Sequence, residues 1–260
     1  MSDSNNTISK TIIVATALSI FCSVIVSGAA TYLKPIQEKN KTLDRQKNVL
    51  AAAGLLEDGV DVAAAFANIE QKIVDLETGE FTTAVDLNTY DQRKAEKDPS
   101  LSRALERSED AASIKRLEKY ALIYIVRSGG GQIEKVILPI RGYGLWSTLR
   151  GYLAVENDGN TVAGLTYYEH LETPGLGGEV DNPKWKNLWP GKKLFDGEGN
   201  PAIDVLKGKV DQNTPSPEHK IDGLAGATLT ANGVENMFTF WLGSNGFGPF
   251  LKRLKQGQVS

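Results

Sequence analysis

The segment Asp222-Gly223-Leu224-Ala225-Gly226-Ala227-Thr228-Leu229-Thr230 sets a threonine behind three small residues and ahead of a helical apolar pattern. If Thr228 stands at a helix N-terminus, unpaired amides and the positive end of the helix dipole favour a phosphate there. Ala225, Gly226 and Ala227 leave room for one. A threonine that only caps the helix explains the same residue without a ligand, and both readings stand at this level. No lysine follows the glycines in P-loop register, and there is no G-x-S-x-G elbow of a hydrolase.

Two further segments carry more small and polar residues than a core needs. His170-Leu171-Glu172-Thr173-Pro174-Gly175-Leu176-Gly177-Gly178 offers polar side chains and then backbone amides that a ligand can approach closely. As a metal site it has two ligands, His170 and Glu172, and lacks a third. Arg141-Gly142-Tyr143-Gly144-Leu145-Trp146-Ser147 puts glycines beside two aromatics between two strands, where a generic tight turn is the plain alternative.

These segments need elements to hold them. Tyr120–Val126 and Gln132–Leu138 flank Ser128-Gly129-Gly130-Gly131, and Leu153–Glu156 and Val162–His170 flank Asn157-Asp158-Gly159-Asn160. Both pairs read as hairpins, so the sheet is at least partly antiparallel. Val234, Met237, Phe238, Trp241 and Leu242 recur at i, i+3, i+4, i+7 and i+8, the apolar face of a helix that Gly243 closes. Upstream, Val62–Leu76 reads as an amphipathic helix, and the charge-dense stretch Asp86–Lys119 as helical or loose surface.

Ile12–Leu33 contains no charge and is bounded by Lys10 and Lys34. A helix rising about 1.5 Å per residue crosses about 30 Å of hydrocarbon in roughly 20 residues, so this span is expected to be a retained bilayer anchor. A cleaved signal peptide or a buried helix are the alternatives. Ile36, Leu43 and Leu50 continue at heptad spacing as a stalk helix, with Pro35 at its first turn and Gly54 at its stop. Only Lys10 precedes the span, whereas Lys34, Lys39, Lys41, Arg45 and Lys47 follow it. By count alone the body is cytoplasmic.

The 260 residues suffice for a self-standing core. A net charge of −3, from 29 basic and 32 acidic residues, gives no footprint for nucleic acid. With Cys22 the single cysteine and His170 and His219 the two histidines, there is no intramolecular disulfide and no thiolate cluster for zinc or iron–sulfur. Redox chemistry would need a bound organic cofactor.

The anchor, the LDRQKNVL stalk, GYGLWS, HLETPGLGGEVDNPKWKNLWPGKK and GLAGATLT together resemble the C subunit of the sodium-translocating NADH:quinone reductases, membrane flavoprotein complexes of bacteria. In that family an aspartate, two residues, Ser or Thr, Gly, Ala and an acceptor Thr carry FMN through a phosphoester. Asp222, Gly226, Ala227 and Thr228 match; Ala225 stands where Ser or Thr is usual. The resemblance implies one covalent FMN on Thr228, attached from FAD by a separate Mg-dependent flavin transferase. It implies a ring walled by Leu145, Trp146, Glu172, Thr173 and Leu176 beside Gly177, a positive charge from Lys207, no catalytic residue and no metal.

The fold it implies is α+β: a single N-terminal transmembrane helix, then a mixed, partly antiparallel sheet with flanking helices. Residues 1–10 would be a short cytoplasmic tail, 11–33 the span, 34–119 the stalk and helical N-terminal part, and 120–260 the FMN-binding core. The implied role is electron relay between redox centres of neighbouring subunits of an inner-membrane complex, with the flavin domain on the periplasmic side, against the charge count. Two alternatives are the G subunit of the related ferredoxin:NAD electron-transport complex, which shares the attachment motif, and an anchored flavin-binding sensor.

Overall fold

The computed structural model describes residues 8–259, so most of the expected tail at 1–10 lies outside the described residues. Two compact units divide at Arg45 and Gln46.

The first unit holds most of α1 (Ile8–Ala53), the one described helix long and apolar enough to cross a membrane. Its apolar side chains from Ile12 to Leu33 are exposed along the whole span, as a lipid-facing surface requires. The expected break at Pro35 is absent: Pro35 lies inside α1, so anchor and stalk are one helix. In a helix interior proline removes one backbone bond, and α1 continues through it to Ala53. The expected stop is present, with Gly54 at φ +72° and Leu55 N–H donating to the Leu50 carbonyl at 2.8 Å.

The second unit is built on a six-stranded sheet in the order β2-β1-β5-β6-β7-β8. Its strands are β1 (Glu70–Asp75), β2 (Glu80–Phe81), β5 (Tyr120–Arg127), β6 (Ile133–Tyr143), β7 (Thr148–Glu156) and β8 (Val162–Glu169). Every pairing in it is antiparallel, and both expected hairpins are present. The parallel component is one small pair, β9 (Asp204–Val205) with β10 (Lys220–Ile221).

Alternation along the strands divides the core in two. Ile123, Ile125, Val136, Leu138, Leu153 and Val155 share a cluster with α5 (Thr228–Leu242) and α6 (Gly248–Lys255). Tyr124, Val126, Ile137, Tyr152 and Ala154 cluster instead with α2 (Val62–Phe66) and with Val49, Leu50, Ala52 and Ala53 of the last turns of α1. There Gly164 has no room for a Cβ because the Ala52 carbonyl lies against it, Thr166 Oγ1 donates to the Asn48 carbonyl, and Lys135 Nζ donates to the Ala53 carbonyl.

The stretch 34–119 departs from its expected helical character. Val62–Leu76 forms one turn, α2, and then β1, because residues 70–75 pair along β5 in full register. A Val62, Phe66, Ile69, Ile73, Leu76 spacing satisfies a helix, but backbone pairing with a strand 50 residues away wins. Asp86–Lys119 is neither helical nor loose: it contains a single turn α3 (Gln92–Ala95) and the hairpin β3 (Ser102–Ala104) with β4 (Arg116–Glu118). The core therefore begins well before residue 120.

Its charges account for the order. Arg150 makes a two-pronged ion pair with Glu96 at 2.7 and 2.7 Å, and Arg141 bridges Glu96 at 3.2 Å and Glu118 at 2.5 Å. Gln92 donates to Glu118 at 2.7 Å and accepts from the Leu122 amide at 3.0 Å. The segment is thereby fastened to β5, β6 and β7.

Candidate functional site

Thr228 is the first residue of α5, and Ala227, not Thr228, is its N-cap; no side chain caps the helix. The plain capping reading of Thr228 is therefore set aside. Gly226, at φ +70°, closes the turn in which the Ala227 amide donates to the Leu224 carbonyl at 3.0 Å, and Ala225, Gly226 and Thr228 are exposed. The helix buries Val234, Met237, Phe238, Trp241 and Leu242, while its first residue, Thr228, is exposed.

Asp222 braces this loop from behind. Its Oδ1 accepts from the Val210 amide at 2.8 Å and its carbonyl accepts from Trp185 Nε1 at 2.8 Å. Lys207 lies in the exposed turn after β9, with its backbone against Gly223.

The other two segments arrive at the same place. Leu176 approaches Gly226 so closely that a Cβ there would lie 3.0 Å from Leu176 Cδ2. The Thr173 carbonyl accepts from the amides of Leu176 and Gly178, which folds Thr173 to Gly178 into a tight turn. The β6–β7 connection closes with the Gly144 amide donating to the Ser147 carbonyl at 2.8 Å, and Ser147 Oγ accepts from the Leu171 amide at 2.7 Å.

Glu172 joins all three. The residue is 4 % exposed. Oε1 accepts from the amides of Leu145 (3.1 Å), Trp146 (3.0 Å) and Ser147 (3.3 Å), while Oε2 accepts from the Thr230 hydroxyl at 2.7 Å. Burial alone would raise its pKa; the Thr230 hydroxyl and the three amides hold it below the usual carboxylate range. Room for it comes from two glycines: a Cβ at Gly144 would lie 2.6 Å from Oε1, and one at Gly177 2.7 Å from Oε2 and 2.5 Å from Thr230 Oγ1. His170 Nδ1 accepts from the Glu172 amide, so its Nε2 proton points to Asp181.

Around this knot stand exposed apolar side chains. Trp146 is 64 % and Leu171 80 % exposed, and Tyr143, Leu145, Leu176 and Leu229 are exposed with them. Water-facing side chains of this kind at one convergence of loops make an apolar patch next to the helix end. The structure thus brings Leu145, Trp146, Thr173, Leu176, Ala225, Gly226 and Thr228 to one surface, with Gly177, Ala227 and Glu172 buried beneath it. Sequence reasoning missed Thr230 and Ser147, whose partners lie 58 and 24 residues away; no local pattern signals either. The threonine pair at 228 and 230 was visible, but not which of the two is buried.

An FMN-binding domain family matches residues 144–243, a stretch that runs from the β6–β7 turn to the glycine ending α5; it encloses the His170–Gly178 and Asp222–Thr230 segments and Gly144–Ser147 of the other. Over 254 residues the chain is 52 % identical to the C subunit of the Na(+)-translocating NADH-quinone reductase of Pseudomonas aeruginosa, covering 96 % of this chain and 97 % of that one. The protein of the same name from Vibrio alginolyticus is 48 % identical over the full length of both. Among solved structures, that of Shewanella oneidensis NqrC superposes with a TM-score of 0.76 at 37 % identity, covering 84 % of this chain and 99 % of that one.

Proposed function

The chain belongs to the family of C subunits of the Na(+)-translocating NADH-quinone reductases, and from that membership we propose that it is a membrane-anchored electron-relay subunit carrying one FMN covalently on Thr228. The observation that carries this reading is an exposed threonine at the uncapped head of α5, next to exposed aromatic and aliphatic side chains.

The residues fit the group. A phosphate on Thr228 meets no competing cap from Ala227, no Cβ at Gly226, and the positive end of a 15-residue helix. Leu145, Trp146 and Leu176 offer exposed apolar faces to an isoalloxazine ring, and the exposed Thr173 carries a hydroxyl for a ring edge. Bound FMN supplies one- and two-electron transfer that no side chain here can perform.

The chain's own work is acceptance, positioning and exclusion. Thr228 would be the acceptor: its oxygen would take the FMN phosphate and give up its proton, with AMP as the leaving group of FAD on a separate Mg-dependent flavin transferase. Asp222 holds the acceptor loop through Val210 and Trp185. Lys207 contributes a positive charge on the exposed turn behind that loop. No general acid or base is required.

The flavin domain is read as periplasmic, against the lysines and arginine that follow the span, because large domains translocate with limited regard to charge. Its partners are the other subunits of the complex and, around α1, lipid. Relatives named as this C subunit cover the chain to its N-terminal region, which favours this family over the G subunit of the related complex.

Intact-mass and peptide analysis of the full chain purified from membranes with its partner subunits tests the reading. An FMN-phosphoryl mass on the peptide containing Thr228 is expected, and a denatured chain free of flavin overturns it. Trypsin added to intact spheroplasts should cut at exposed Lys97 or Arg107. Cleavage only after the cytoplasmic face is opened would reverse the sidedness.

A further inference from the structure

Resting on Thr228 as the flavin acceptor, we propose that Glu172 is the positioning residue of the site: its two oxygens tie the Trp146 turn to the first turn of α5, which sets where the apolar wall stands and which threonine is left free. The resemblance assigns Glu172 to the wall of the ring. In the fold it is buried, and both of its oxygens are already engaged with the chain.

The two halves of the carboxylate do different things. Oε1 gathers three successive amides, the arrangement that fixes a turn against an anion, and the middle one belongs to Trp146. Oε2 takes the hydroxyl of Thr230, one of the side chains 0 % exposed. Thr228 and Thr230 are chemically equal acceptors two residues apart. Thr230 has its proton committed to Glu172 and no path to solvent, whereas Thr228 has neither constraint, so the carboxylate also selects the residue that is modified. Gly144 and Gly177 support the assignment from outside the hydrogen bonds: each is a glycine where a Cβ would strike one carboxylate oxygen.

The decisive feature is transmission, because the Thr230 hydroxyl reaches the 145–147 turn through the Glu172 carboxylate. The experiment is hydrogen exchange by mass spectrometry on the full chain in its complex, for wild type, Thr230→Val, Thr230→Ser and Glu172→Gln, with flavin located by peptide mapping in parallel. Thr230→Val is expected to speed exchange of the 145–147 amides about 10-fold, the equivalent of about 1.4 kcal/mol. Thr230→Ser should restore the wild-type rate, and Glu172→Gln should speed exchange and lower flavin per chain. Unchanged exchange at 145–147 in both Thr230→Val and Glu172→Gln overturns the proposal, and so does equal loss in Thr230→Ser. A wild-type chain without covalent flavin refutes the acceptor reading instead, and leaves the exchange result to decide the tie by itself.

Discussion

Glu118 and Glu172 are both carboxylates taken almost wholly out of water, and their surroundings push them in opposite directions. At Glu118 burial dominates and raises the pKa; Arg141 opposes it, and Glu96 adds to the rise. At Glu172 desolvation also raises the pKa, from a shallower position beneath the loops, and is outweighed by the Thr230 hydroxyl and three backbone amides. Fixed neutral dipoles hold an anion without bringing a second charge that must itself be desolvated, whereas an ion pair does bring one. The ion cluster shows that cost: Arg141 Nη1 is buried without a hydrogen-bond partner. One region fastens a long segment to the sheet; the other sets a surface.

If chemistry and fastening are divided in this way, the largest effect is all-or-none. Thr228→Ala should abolish covalent flavin, with none appearing on Thr230, while thermal unfolding of the flavin-free chain stays within about 0.5 kcal/mol of wild type, as for an exposed residue. Flavin fluorescence persisting in a denaturing gel would break the division at its first term.

Glu118→Ala should do the reverse. It leaves Glu96 as the remaining carboxylate partner of the buried Arg141 and is expected to cost about 3 kcal/mol in urea unfolding, the low end for a broken buried ion pair, while the folded fraction still accepts flavin at Thr228. A loss under about 1 kcal/mol would show that the cluster fastens nothing.

A pH series sharpens the contrast further. A folded pKa held down means that the contribution of Glu172 to stability is present above its unfolded pKa, about 4.3, and is lost as pH falls through the folded value. A raised folded pKa means that the contribution of Glu118 is present at low pH and is lost as pH rises through its folded value. The stability difference between wild type and Glu172→Gln should therefore widen with rising pH, and that between wild type and Glu118→Gln should narrow. Slopes of the same sign would mean that the two sites are electrostatically alike.

The smallest effect concerns Ala225, exposed beside Gly226. Ala225→Ser adds a hydroxyl whose bond to a charged phosphate is worth about 1.5–3 kcal/mol at most. Flavin stoichiometry should be unchanged or raised, and a clear fall would show that the space by the acceptor is tighter than the exposed loop suggests.

Both hairpins, the apolar face of α5 and the stop at Gly54 were legible in the sequence, because each is set by local pattern and turn chemistry. The β1 strand was not: its apolar spacing suits a helix, and its partner is β5, 50 residues on. Nor was the order of Asp86–Lys119, where charge density signalled solvent and the partners Arg141 and Arg150 lie beyond the segment. At the site, sequence brought the three loops to notice together but gave Glu172 to the surface, because nothing local shows that the 145–147 amides and Thr230 converge on it.

The close seat of Ala52 and Ala53 against β6 and β8 has a kinetic consequence. Asn48 and Ala53 wait for Thr166 and Lys135, 118 and 82 residues later in the chain. Contacts of such separation form late, because a long loop must close before they are rewarded. The segment just past the membrane span is therefore among the first parts of this domain to be synthesised and among the last to find its place. Until β8 is complete, the Tyr124–Tyr152 side of the sheet lacks part of its cover, and a chain arrested before residue 166 should be captured by chaperones or proteases.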